Sequence, residues 1–313
     1  MQSPWGEIDV SDAHVHFFSH NFFAALAAQQ TARSGHPANP ESIAATLSWQ
    51  APPPEPEALA LKWVQELDRW GVRRAALIAS IPGDEASVAA AVRAHPDRFY
   101  GHFMVDPTAQ GTAERVRVAL ADGHLHCICL FPAMHRYSIQ DERVRPLLGA
   151  AEAHPGVAIF VHCGVLTVGV RAKLGLPSPF DMRFSNPIDL HAVALAFPKL
   201  RFIVPHFGAG YFREALMLCD LCPNVYLDTS SSNSWIRYQP DLAGLPQVFR
   251  RALDVVGGER LLFGSDSSFF PRGWHKAIFD TQAEALSHIG ISGADAQRIF
   301  GGNLERILTR QAE

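Results

Sequence analysis

At 313 residues, with 48% hydrophobic and 19% charged residues and a formal charge of -4, the chain can bury a barrel-sized core. That mild acidity, without a basic stripe and interleaved aromatics, argues against a dedicated nucleic-acid binder. No uncharged apolar run would span a bilayer and no signal-peptide pattern opens the chain; five cysteines suit a reducing cytoplasm better than a disulfide scaffold.

Short apolar runs alternate with longer helical patterns, the arrangement of parallel strands joined by crossover helices. The first strand is read over 8–15 and a helix over 21–30. The stretch 31–56 is rich in Pro, Gly, Ser and Ala, including Pro52-Pro53-Pro54, and is too long for an ordinary connection. It is read as an insertion over the strand ends, in the position of a substrate lid. Over 57–70, Ala60, Trp63, Val64, Leu67 and Trp70 recur on one helical face, and Gly71 stops the helix.

The pattern then continues regularly. Strands are expected at 74–79, 99–105, 125–131 and 157–162, with helices at 84–94, 112–121 and 141–153 between them. A second insertion, 166–187, precedes a helix at 188–197. A sixth strand at 202–206 leads to a helix at 211–219. The seventh, 225–229, runs into Ser230-Ser231-Ser232-Asn233-Ser234. After a helix within 245–256 come the eighth strand, 260–264, and a helix at 274–286. The tail, 293–310, reads as two short helices broken at Gly301-Gly302-Asn303. Eight strand–helix units predict an α/β fold: a (β/α)8 TIM barrel, one domain over 1–313, with loop insertions at its C-terminal face and a short helical tail. A doubly wound sheet would use fewer strands and a glycine-rich turn after the first.

In such a barrel the C-terminal strand ends meet at one rim, and the chemistry-bearing residues fall there. His14 and His16 share one face of an extended chain, about 7 Å apart, and can close on one ion if the strand end curls. His162 ends the fifth strand, His206 the sixth, and Asp266 follows the eighth. Singly, a histidine in such a place is more often a half-buried structural group, and Asp266 a turn cap. Their arrival on one rim is what a structural role does not explain.

These residues carry a resemblance. Asp12-Ala13-His14-Val15-His16, Phe160-Val161-His162, Pro205-His206-Phe207-Gly208-Ala209-Gly210, Asn224-Val225-Tyr226-Leu227-Asp228-Thr229, Leu262-Phe263-Gly264-Ser265-Asp266 and Ile299-Phe300-Gly301-Gly302-Asn303-Leu304-Glu305-Arg306 together resemble the amidohydrolase superfamily. The narrower likeness is to its amidohydrolase-related branch, which includes aminocarboxymuconate semialdehyde decarboxylase and related metal-dependent hydrolases. The resemblance implies a metal held by His14, His16, His162 and Asp266, with His206 catalytic beside it.

Many members of the superfamily bridge two metals with a lysine at the end of the fourth strand. None of the four lysines lies on 125–131, so one divalent ion is expected, zinc first and manganese second. Cys127 and Cys129 share a face and offer soft ligands, although strand centres also bury cysteine as a small hydrophobe. Cys219 and Cys222 have CxxC spacing but lie away from the rim. Asp12 is a candidate to orient a ligand histidine. His126, His135 and Arg136 are read around the exit of the fourth strand, where the latter two could meet a substrate carboxylate. Arg171, Lys173 and Arg183 give the second insertion a positive tendency, and Phe17, Phe18, Phe22, Phe23, Phe269, Phe270 and Trp274 would give the mouth an aromatic wall.

The resemblance implies a metal-dependent hydrolase of a small, carboxylate-bearing ester, lactone or amide, acting through metal-activated water, with Asp266 and His206 as catalytic groups. Its alternative is a non-oxidative decarboxylase, a lyase, of a small unsaturated or aromatic carboxylic acid. The expected partner is a small molecule, with neither nucleic acid nor membrane, and a homodimer is the simplest assembly.

Overall fold

The computed structural model describes residues 1–230 and 233–309; Ser231 and Ser232 of the polar run and Arg310 of the tail lie outside the described residues. Eight parallel strands form the expected barrel: β1 (Ser11–Phe17), β2 (Arg74–Ala79), β3 (Phe99–Val105), β4 (Leu125–Leu130), β5 (Ala158–Val161), β6 (Arg201–Val204), β7 (Val225–Asp228) and β8 (Leu261–Leu262). The order is sequential, each strand paired in parallel with the next. Between β8 and β1, Phe263 O accepts from Ala13 N at 2.8 Å and Ser267 O from His16 N at 2.7 Å.

Alternation along the strands sorts the core into two shells. On β2, Ala75, Leu77 and Ala79 pack outward under the helices, while Ala76 and Ile78 fill the lumen. Met104, Cys127, Cys129 and Phe160 share that lumen. Leu304, Ile307 and Leu308 of the last helix, Asn303–Leu308, join the same cluster and plug the N-terminal end of the barrel. Gly301 makes this docking feasible, since a Cβ there would lie 3.0 Å from Asp9 O and 3.1 Å from Ser11 N.

Several boundaries differ from expectation. A hairpin, Gln2–Ser3 with Gly6–Glu7, precedes the barrel, and β1 starts later, at Ser11. The first insertion is not irregular throughout: Pro40–Leu47 is a helix whose Asn39 and Ser42 cap one another. Gly169–Lys173 is likewise helical within the second. Phe22, Phe23, Leu26, Ile43, Leu47 and Val170 belong to one small core, so the two insertions and the first helix pack together above the strand ends. The sixth strand stops at Val204, because Pro205–Gly208 curls into a tight turn with His206 at φ 54° and Phe207 at φ 52°.

Candidate metal centre

β1 brings His14 and His16 to the rim, and the turn after β8 brings Asp266. Asp266 takes a left-handed backbone, φ 56°, that swings its carboxylate toward both rings. The facing atoms form a near-equilateral triangle: His14 Nε2 to His16 Nε2 is 3.4 Å, His16 Nε2 to Asp266 Oδ1 3.3 Å and His14 Nε2 to Asp266 Oδ1 3.7 Å. Four ligands in a tetrahedron about an ion at ~2.0–2.1 Å would lie roughly 3.4 Å apart. The spacing therefore matches one open face of a tetrahedral site.

The far side of each ring is tied down. His14 Nδ1 lies 2.6 Å from Asp228 Oδ2, and His16 Nδ1 lies 2.8 Å from Ser80 Oγ. Such anchors hold the ring so that Nε2 presents its lone pair to an ion. Burial works against charging His14, but Asp228 overrides it and raises the imidazole to about 9. Burial lowers His16 and holds His162 well below its ordinary value, helped by the neighbouring His206 and His14. For Asp266 burial acts upward, yet the His16 hydrogen bond and the His14 and His206 charges hold it below the usual carboxylate range.

His162 stands beside this triangle without closing it, its ring 5.4 Å from that of His206. Among the described residues its buried Nδ1 has no hydrogen-bond partner, which suits a nitrogen meant for an ion. The His206 Nδ1 is 2.9 Å from Ser230 Oγ, and that hydroxyl is also 3.1 Å from His14 Nδ1. His14, His16, His162, His206 and Asp266 all line one cavity of about 690 Å³, a size suited to a small organic ligand.

Two glycines permit the packing. A Cβ on Gly264 would sit 2.6 Å from Asp228 Oδ1 and 2.9 Å from the Cβ of His14. A Cβ on Gly164 would meet Gly208 O at 2.1 Å, so the exits after β5 and β6 touch only because no side chain intervenes.

Other assignments move. Asp12 does not touch an imidazole: it accepts from His14 N at 2.9 Å, Ser265 N at 3.0 Å and Trp274 Nε1 at 2.7 Å, and from the Ser265 hydroxyl. It braces the ends of β1 and β8, and burial raises its carboxyl to about 6. His126 lies at the start of β4, against the Tyr100 ring, at the end of the barrel opposite the rim. His135 and Arg136 do not line the cavity, and Arg136 Nε is spent on Pro179 O at 3.0 Å. Of the insertion cations, Arg171 and Lys173 line it, whereas Arg183 pairs with Asp181 at 2.6 Å. Phe18, Phe22 and Phe269 line the mouth as expected, but Phe17, Phe23 and Trp274 are buried in the core and Phe270 packs on Trp63. The sequence reading missed Asp228, Ser80 and Ser230 as partners of the rings, and Arg237 and Arg272 as cavity cations. A carboxylate ending an otherwise apolar strand was the one available signal for Asp228.

Comparison with known proteins identifies the family and the fold. The sequence profile of a family described as Amidohydrolase matches residues 11–310. Protein fluG of Emericella nidulans is 26% identical over 171 residues, 53% of this chain and 18% of that protein. The 2-keto-4-carboxy-3-hexenedioate hydratase of a Sphingobium species is 30% identical over 128 residues, 36% of this chain and 35% of that protein. The matches thus span about a fifth and about a third of the length of these curated relatives. The crystal structure of 5-carboxyvanillate decarboxylase from Sphingomonas paucimobilis superposes with a TM-score of 0.65 over 96% of this chain and 99% of that one. Its sequence identity is 15%, so that likeness is one of fold.

Proposed function

The chain belongs to the amidohydrolase family, and from that premise we propose that it is a mononuclear metal-dependent hydrolase of a small, carboxylate-bearing ester, lactone or amide. The observation that carries this reading is the triangle of His14, His16 and Asp266 facing a cavity of small-molecule size. In this reading His14, His16, His162 and Asp266 hold the ion, zinc first and manganese second. A divalent ion so held supplies Lewis acidity toward water and toward a carbonyl oxygen.

The remaining work falls to the chain. The Asp266 carboxylate takes a proton from the attacking water and returns it to the leaving group. His206, fixed through Ser230, stands beside the reacting carbonyl and stabilises its developing negative charge. Asp228 and Ser80 hold the two rings of β1 in register throughout. Arg171, Lys173, Arg237 and Arg272 line the cavity, where Asp266 is the one carboxylate among the described residues. That imbalance supports a substrate with a carboxylate of its own.

A decarboxylase is the second reading; the same fold carries 5-carboxyvanillate decarboxylase from Sphingomonas paucimobilis. Hydrolysis is preferred because Asp266 lies beside both rim imidazoles, within reach of a water on the ion they would share. In this reading the protein works in the cytoplasm as a homodimer, and light scattering that finds only monomer would remove the dimer.

The test is a panel of small unsaturated and aromatic carboxylic acids with their lactones and amides, given to zinc-loaded protein in ¹⁸O-water. Label entering a new carboxylate without CO₂ is the expected result. Release of CO₂ with solvent hydrogen delivered to carbon would replace hydrolase by lyase.

A further inference from the structure

Within the barrel lumen a second set of ligand atoms meets, unused by the rim. His102 of β3 and Cys127 and Cys129 of β4 bring an imidazole nitrogen and two sulfurs within 4.8 Å of one another. Strand register gives their depth. Cys129 pairs with Phe160 and Cys127 with Ala158, two and four residues before His162. At ~3.3 Å per residue this is about 7 and 13 Å below the rim histidine. The Phe160 ring, edge-on to His14 at 5.4 Å, stands at the upper of these two levels.

All three residues are fully buried, at 0% exposure. His102 is the anomaly. Among the described residues neither its Nδ1 nor its Nε2 has a hydrogen-bond partner, although one ring nitrogen lies within 4.8 Å of both sulfurs. Buried polar atoms are nearly always satisfied, so a ring orphaned at both nitrogens asks for a partner.

We propose that His102, Cys127 and Cys129 supply three donors of a buried structural site for a thiophilic divalent ion, zinc in the cell, separate from the rim centre. The donor set suits it: two sulfurs and an imidazole are soft ligands, and thiolate–zinc distances of ~2.3 Å would draw the sulfurs to about 3.8 Å apart. Charge suits it too. Each thiol gives up its proton on binding, two in all, and two thiolates with one divalent ion and a neutral imidazole leave no net charge in an apolar lumen. Without an ion, burial and the contact with Cys127 hold the Cys129 thiol well above its ordinary range, and burial holds His102 down to about 3. His102 then stays neutral and keeps its lone pair. Since the lumen is plugged from below by Leu304 and Ile307, the ion would be enclosed as the chain folds.

This enclosure separates the two sites experimentally and makes the inference independent of the proposed reaction. Full-length protein from zinc-supplemented culture is treated with a chelator in the folded state, then desalted and unfolded in denaturant, with released zinc measured at both steps. One equivalent should leave at the first step, from the rim, and one at the second. The Cys127→Ala/Cys129→Ala double variant should lose only the second. Cadmium-grown protein should show thiolate-to-metal charge-transfer absorption that survives chelator and is missing from the double variant. If the double variant does not fold, His102→Gln takes its place and should weaken retention of the second equivalent. Failure of chelator-treated wild-type protein to release zinc on unfolding overturns the proposal, as does equal release from wild type and variants.

Discussion

At the carboxyl ends of the strands six non-glycine residues among those described hold a left-handed backbone: Ser48, Arg136, His206, Phe207, Ala209 and Asp266. At the opposite end the turns that return to strands take positive φ with glycine, at Gly71, Gly123, Gly156 and Gly257. Polar groups differ in parallel. Below, Asn303 Nδ2 donates to Gly258 O at 2.7 Å and Leu261 O at 2.8 Å, which locks the tail to the sheet. Above, the imidazole of His14 is held between Asp228 and Ser230, and among the described residues the Nδ1 of His162 has no partner. A left-handed L-residue costs about 1–2 kcal/mol, and glycine would relieve it. It persists at His206 and Asp266 because glycine carries neither imidazole nor carboxylate. One end of the barrel is arranged for reactivity and the other for stability.

Substitutions can break or sharpen that contrast. Asp266→Gly removes a proposed ligand while relaxing the backbone; activity should fall to background and rim metal should be lost in elemental analysis. The metal-free variant should melt no lower than metal-free wild type in calorimetry, and a clear fall in Tm would show that the rim contributes more to stability than argued. His206→Ala should keep the metal and lose kcat by about 10²–10⁴-fold, as loss of a proton-handling group does. Asp228→Asn keeps the shape of the His14 support but not its charge, and a chelator competition should find metal held about 10–100-fold more weakly. Asn303→Ala leaves two buried carbonyls without a donor; denaturant titration should show a loss of about 1–3 kcal/mol, with kcat/KM unchanged. Ala209→Gly relieves strain but frees the unfolded chain, and the two effects should cancel to within about 1 kcal/mol.

The parts legible in the sequence were those carried by local period. β1 shows His14 and His16 two apart, and 57–70 shows one helical face, so both could be read without a partner in view. What escaped depends on contacts across the chain. Asp228 reaches His14 over 214 positions, and Ser80 reaches His16 over 64. The helix Pro40–Leu47 was hidden by the breakers around it, and its Asn39–Ser42 cap uses serine where glutamate or glutamine would have announced it. The early end of β6 was masked because Val204-Pro205-His206 looks extended, while the backbone turns left-handed at His206.

The small core shared by the two insertions has a consequence for exchange kinetics. Leu47 and Val170 are separated by more than a hundred residues, yet both belong to one cluster with Phe22 and Phe23. Elements that share a core lose it together, so the amides of Pro40–Leu47 and Gly169–Lys173 should exchange with deuterium as one cooperative unit, well before those of β2 or β3. Access to the cavity is then governed by a single opening equilibrium. A lengthened or truncated loop on either side should alter how ligands enter past the other.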